Sequence, residues 1–287
     1  DMDHWVTRKI HESGIIGGNT KLLYELGPTQ VIEGNEAYTN KGGSPWANSN
    51  VMAKVVGIVK TNTSVYPEKR GNGYCAKLET HIEKVKVLGM VNITVLASGS
   101  LFLGDMKEPI TGTKDGEKAL NVGVPFNQRP KAVRFDYKVK MSGQPDRIKQ
   151  NGFSRKSVVK GQDCAIMTCL LQKRHEDSEG NIIAKRIGTA VVRYNKSTDW
   201  KNKATYEIHY GDISKTGYYD AEIMKLGVGD YYARNSKGKS VMIKENGWAA
   251  ADETPTHMIL QFTSSLGGAF IGSPGNTFWI DNVELVY

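Results

Sequence analysis

The chain of 287 residues is poor in proline, with only 9, and holds just three cysteines. An odd number of cysteines cannot all pair within one chain, so Cys75, Cys164 and Cys169 do not form a closed disulfide framework. Cys164 and Cys169 stand at odd separation in one extended segment and face opposite ways, which suits small apolar packing groups. No apolar run is long enough to span a bilayer. No charged-then-apolar leader precedes Asp1, which reads as a mature or trimmed chain. No block of five like charges occurs, although the net charge is +8. The basic residues are interleaved with acids, which argues against nucleic acid. It leaves a solvated basic surface or attraction to an acidic polysaccharide.

Familiar catalytic signatures are also missing. There is no H-E-x-x-H and no G-x-S-x-G. Gly112 to Lys118 is loosely like a phosphate-binding loop, but its spacing is wrong and no Ser or Thr follows the Lys, so it reads as a hairpin loop. None of the six histidines is paired at metal-ligand spacing. Helical periodicity is scarce. The best case is Tyr219 to Leu226, ended by Gly227 as a C-cap.

Strand alternation dominates what is present. Gly73 to Lys84 alternates Tyr74, Ala76, Leu78, Thr80 and Ile82 with polar partners. In Lys131 to Lys140, Val133, Phe135, Tyr137 and Val139 face one way and Arg134, Asp136, Lys138 and Lys140 the other, as in a strand with one wet face. Asp163 to Arg174 is apolar on both faces. It returns through a polar turn into Ile182 to Asn195, predicting a hairpin. Ala204 to Tyr210 and Thr256 to Ser265 are further strands. Two segments read as excursions: Gly34 to Asn50, and Gly211 to Thr254, which is too long to lack structure of its own and predicts a small hairpin near Lys239 to Lys244. With no linker or repeat, the expectation is one domain over 1–287, an all-β two-sheet sandwich with a long insertion near 211–254.

The closing stretch, Thr277 to Tyr287, alternates throughout, which places Asp281 on one face with Trp279, Val283 and Leu285. A buried carboxylate needs partners. Either backbone amides of the Gly272–Asn276 turn or a calcium ion shared with Asp1 and Asp3 would serve. No other cofactor is indicated.

Sugar rings stack their C–H faces on aromatic side chains while amides and charged groups hold the hydroxyls. Trp46, Asn48 and Asn50 place such groups together, with Trp46 either a stacking platform or a plug for the core. Arg129, in a rigid turn, either reaches a ligand or ties down loops. Trp5 and Trp200 read as core. Trp248 and the tyrosines of the insertion fit a ligand platform, a partner surface or the insertion's own core. Glycoside hydrolysis would need two carboxylates in register, and Glu79, Asp136, Asp163 and Asp281 all lie in strands.

Several ordered pieces resemble the putative carbohydrate metabolism domain family of exported proteins and lipoproteins of gut bacteria. They are Asp1–Trp5, with Met2 where Phe is usual, Trp46–Asn50, and Tyr66-Pro67 followed by Gly73–Thr80. Leu101–Gly104, Gly123–Pro130 and Ser264-Ser265 continue the series, which closes through Phe270–Gly272 and Gly275 to Asp281. Asn276 and Asn282 depart from the pattern, the latter removing a negative charge. The aromatic-x-Asp-x-Val-x-Leu ending also resembles jelly-roll sandwiches that carry sugar-binding modules. The resemblance implies a jelly roll like the galactose-binding domains, export to the cell surface or periplasm, and glycan handling, with no catalytic residues to carry over. The leading expectation is non-catalytic binding of a polysaccharide or oligosaccharide, acidic ones included. The alternatives are a glycan-active enzyme using strand carboxylates, and an adhesion domain that binds protein through the tyrosine-rich insertion.

Overall fold

A computed structural model describes residues 1–13, 18–38, 43–55, 57–87, 91–112, 116–152 and 155–287. Strands make up 57% of the chain and helix 2%, which fixes the all-β class. A five-stranded antiparallel sheet runs Thr198–Glu207, Ala132–Lys140, Thr277–Val286, Gly73–Glu79, Val65–Arg70. A nine-stranded sheet is built on Ser100–Met106, His257–Thr263, Ala165–Glu176 and Ile182–Tyr194. Val133, Phe135, Phe278 and Ile280 of the first meet Met167, Cys169, Leu260 and Phe262 of the second in one buried core. The Phe135 and Phe262 rings lie edge to face, 5.0 Å apart. This arrangement is consistent with a β-sandwich.

The Ala132–Lys140 strand keeps its expected alternation, with Val133, Phe135 and Val139 buried in the core. The apolar second face of Ala165–Glu176 is buried as well. Ile166 and Leu170 meet Ile213, Met224, Ala233 and Ile243 of the 211–254 segment. Tyr218, Tyr219, Tyr231 and Trp248 pack against this same second core, so they belong to the insertion's own interior. The insertion holds the expected hairpin, Tyr232–Arg234 with Ser240–Met242. Its helix is shorter than the sequence predicts, Ala221–Met224, because Lys225 turns to ψ 145°. That turn frees the Met224 and Lys225 carbonyls to accept from the buried Arg186. The three cysteines are buried and free. Cys169 lies in the first core and Cys164 in the second, and burial pushes all three thiols up to about 12.

Several expectations change. Gly73 to Lys84 is not one strand. It breaks at the buried Thr80, whose hydroxyl sits 2.8 Å from both Ser264 Oγ and Ser265 Oγ. His81–Val87 then leaves for a separate sheet with Val91–Ala97. Trp46–Asn48 is a strand on Ser100–Met106 rather than loop; residues 39–42 of that excursion, and 113–115 of the expected hairpin loop, lie outside the described residues. Trp5 is core, but Trp200 is only half-buried and lies under the Arg70 guanidinium, 4.0 Å from its ring centre.

The closing strand changes face partway. Asn282 has φ 49°, and the pairing with Ala132–Lys140 shifts register between Arg134 and Asp136. A bulge of this kind reverses the alternation beyond it. Phe278 and Ile280 face the core before it, and Val283 and Leu285 after it. Trp279 and Asp281 therefore do not share a face with Val283 and Leu285.

Asp281 is 7% exposed, and its cation is a guanidinium: Arg70 Nη1 donates to Oδ2 at 2.7 Å. Met2 N and Asn282 N donate to Oδ1. The same Arg70 Nη1 lies 2.8 Å from Asp136 Oδ2. Burial pushes the Asp136 carboxyl up, but donors from Asn282, Lys203 and Arg70 outweigh it and hold it below its ordinary value. The Gly272–Asn276 turn serves a different acid. Ser273 N and Asn276 Nδ2 donate to Asp163 Oδ2, joined by Ser265 Oγ, while Cys164 N and Leu266 N donate to Oδ1. Replacing Asp163 by Asn points an amide donor at one of these donor groups. Asp163→Asn is expected to cost about 2 kcal/mol or more in urea unfolding. Asp281→Ala should also lower stability by about 2 kcal/mol, because it removes one of two acids from the half-buried Arg70 and the acceptor of Met2 N. The wild-type melting temperature should not move when a chelator is added.

Candidate functional site: the cleft at Trp46

Three strands meet where Trp46–Asn48 lies against Ser100–Met106 and beside Asn19–Leu26. In the strand Trp5–Glu12, Val6, Arg8 and Ile10 share the buried side, at 1%, 2% and 0% exposure. A cation in an inward register position must bring acids with it. Glu108 supplies a fork, accepting from Arg8 Nη1 at 3.0 Å and Nη2 at 2.6 Å. It also accepts from Met52 N and Tyr38 N. Glu25, inward beside Leu23, lies 3.4 Å from Arg8 Nη1. Burial pushes the Glu25 carboxyl up to about 8. The charge of Arg8 pulls it back only in part, and the Glu108 carboxylate adds to the rise. Glu25 is thus a neutral acid at moderate pH, able both to donate and to accept.

Glu25, Tyr38, Trp46, Asn48, Asp105 and Glu108 line a small cleft of about 20 Å³ together with Ala47, Asn50 and Met106. That is room for about one water. A single hydroxyl could enter it, but a sugar ring could not. Trp46 is half-buried at this cleft and packs its ring 6.2 Å from Phe262, so it lies at the core's margin and lines the cleft at once. Asp105, 38% exposed, is paired with Arg234 Nη1 at 2.6 Å and with Asn121 Nδ2 at 2.7 Å.

The expected hydroxyl partners are not available. Asn48 Nδ2 donates to Tyr24 O, and its Oδ1 accepts from Asn50 N. Asn50 Nδ2 donates to Tyr24 O and Val65 O, and its Oδ1 accepts from Ser64 N and Val65 N. Both residues are 2% exposed. These amides hold three chain segments together. Arg129 lies elsewhere, donating to Ala251 O and Glu253 O and covering the Tyr210 ring, so it ties down loops.

The acids expected to bind calcium are also divided. Asp1 is exposed, Asp3 Oδ1 accepts from Tyr74 N, and Asp281 turns to Arg70. Among the described residues no group of three or more His, Cys, Asp or Glu is placed to hold a metal ion. Of the strand carboxylates, Asp136 and Asp281 do meet, but on one guanidinium. Asp163 is enclosed by donors, and Glu79 pairs with Lys77 at 3.3 Å. Sequence reading missed Arg8, Glu25, Tyr38, Asp105 and Glu108. The available signal was a charged residue at an inward position of an apolar alternation, at Arg8 and again at Glu25.

The family described as Putative carbohydrate metabolism domain matches residues 28–286. The chain belongs to this family. Among solved structures, one similar chain is described as a putative glycoside hydrolase from Bacteroides thetaiotaomicron VPI-5482. It is 19% identical, with a TM-score of 0.47, and the match covers 94% of this chain and 76% of that one. A likeness that loose carries no argument about fold or activity. No match is found among curated proteins. Family membership sets a carbohydrate-related context for the Trp46 cleft and leaves its chemistry to be read from the side chains.

A raised folded-state pKa has a definite sign in stability. The Glu25 contribution is fully present below the unfolded value of about 4.3 and is lost as pH rises through about 8. Wild-type unfolding free energy should therefore fall across that window. Glu25→Gln, which keeps the shape without the ionisation, should flatten the decline. Urea titrations at several pH values would measure this.

Proposed function

We propose that this protein binds carbohydrate without hydrolysing it, through the surface around the Trp46 cleft. The carrying observation is that the cleft offers no free carboxylate to work with its one protonated acid. Glu108 is held by Arg8 and Asp105 by Arg234, which leaves Glu25 without a second free carboxyl group. Hydrolysis needs one carboxyl free to donate a proton and a second free to attack or to activate water. Binding needs only an aromatic wall and a place for a hydroxyl, and Trp46, Tyr38 and the one-water socket supply these. In this reading a sugar rests against Trp46 with one hydroxyl inserted toward Glu25. The proposal includes a jelly-roll topology like the galactose-binding domains and an exported setting of glycan use, as the sequence resemblance implies.

One observation favours a second reading. Glu25 stays protonated at moderate pH and lines the cleft, as a general acid must. In a glycan-active enzyme it would donate the proton.

A glycan array followed by calorimetry tests the first reading. Trp46→Ala and, separately, Tyr38→Ala should each weaken binding by about tenfold or more while the protein stays folded by circular dichroism. Unchanged affinity in both folded variants would remove the cleft from the binding surface. Release of reducing ends by the wild type, lost in Glu25→Gln, would establish the enzyme instead.

A further inference from the structure

The outward face of the five-stranded sheet carries a cation that the rest of the face does not neutralise. Cross-strand register places Lys138 opposite Trp279, Trp279 opposite Lys77, and Lys77 opposite Tyr66. At one end of this row the charges cancel. Lys77 lies 3.3 Å from Glu79 and 3.8 Å from Glu68, which also accepts from the Trp279 indole. Arg134 pairs with Glu284, and Arg70 with Asp136 and Asp281. At the other end, Lys138 Nζ lies 4.9 Å from the Trp279 ring centre, and Lys140 is exposed two residues on, on the same face. Among the described residues neither lysine has a carboxylate partner.

These two lysines border an open groove of about 380 Å³, within the range of small-ligand sites. Val139, Trp279, Ser197, Thr198 and Asp199 complete its lining. The Ser197 and Thr198 hydroxyls accept from Met141 N and Val139 N and keep their own protons to donate. The groove thus offers two hydroxyl donors, two ammonium groups without a carboxylate partner and one carboxylate, over a floor of buried Val139 and Trp279. That combination fits a sugar ring bearing a negative charge. Asp199 would repel the charge and orient it toward Lys138 and Lys140.

We infer that this groove is a second saccharide site, separate from the Trp46 cleft, and that it takes an acidic glycan whose sugars carry carboxylate or sulfate groups. The site requires nothing of Trp46, so the two surfaces fail or succeed independently. The probes are oligogalacturonate against its methyl ester, and dextran sulfate against dextran, each titrated by calorimetry. Wild type should bind at least one acidic member and discriminate against its neutral counterpart; the tighter of the two names the anion. The paired substitution Lys138→Gln with Lys140→Gln should weaken that binding by about tenfold. Asp199→Asn should strengthen it. Lys237→Gln with Lys239→Gln, in an exposed turn elsewhere, should leave it unchanged, and Trp46→Ala should do the same. Melting temperatures confirm that each variant is folded. Failure to bind either acidic probe would overturn the inference. So would an equal loss in the Lys237 and Lys239 pair, which marks diffuse charge attraction, or equally tight binding of duplex DNA that depends on Lys138 and Lys140.

Discussion

The hairpin of Ala165–Glu176 and Ile182–Tyr194 is apolar on both faces, and the rest of the molecule answers that constraint. Met167, Cys169 and Ile187 need one cover; Ile166, Leu170 and Ala184 need another. The five-stranded sheet provides the first. The 211–254 segment provides the second with Ile213, Met224, Ala233 and Ile243. An insertion that looks dispensable along the chain is therefore half of the packing of the central sheet. Its aromatics are spent on that task, and this leaves little to support an adhesion surface made of its tyrosines.

Buried charge is the second constraint. The buried Arg8 and Arg186 and the half-buried Arg70 are each held by acids: Glu108 beside the protonated Glu25, Glu245, and Asp136 with Asp281. Burial pushes the Glu245 carboxyl up, but its bonds to Arg186, Gly227 and Gln172 win, and it sits below its ordinary value. Each guanidinium joins segments distant in sequence. Arg70 ties Val65–Arg70 to both Ala132–Lys140 and the closing strand, across 211 residues in the second case. A carboxylate used this way is not free for catalysis. The acids that sequence alone offers as a hydrolytic pair turn out to be structural for this reason, and the proposal of binding rests on that.

The two proposed ligand surfaces differ in the physics they offer. The Trp46 cleft is narrow and has its acids neutralised, with a socket the size of one hydroxyl. The Lys138 groove is wide and open, with cations left unpaired. A glycan with neutral and acidic sugars could engage both, the aromatic wall reading ring faces and the lysines reading charge. The net charge of +8 is spread over the sequence, and cross-strand pairing cancels it on most of this face except at Lys138 and Lys140.

Sequence alone determined the elements. Alternation gave the strand Ala132–Lys140, the central hairpin and the two-faced burial of Ala165–Glu176, because a period of two is a local property of extended backbone. It also separated Cys164 from Cys169 and marked 211–254 as a structured insertion. Ordered motifs from Trp46 to Asp281 carried the family. The tertiary structure decided everything that depends on a partner. A bulge at Asn282 turned Asp281 away from Val283, and only the register with Ala132–Lys140 imposes that bulge. Arg70, rather than the glycine turn, became the counter-charge of Asp281. Asn48 and Asn50 looked like ligand groups because an amide's chemistry is legible in sequence while its hydrogen-bond partners are not. Arg8, Glu25 and Glu108 come from positions up to 100 residues apart, and their meeting is fixed by how sheets stack, which no local pattern encodes.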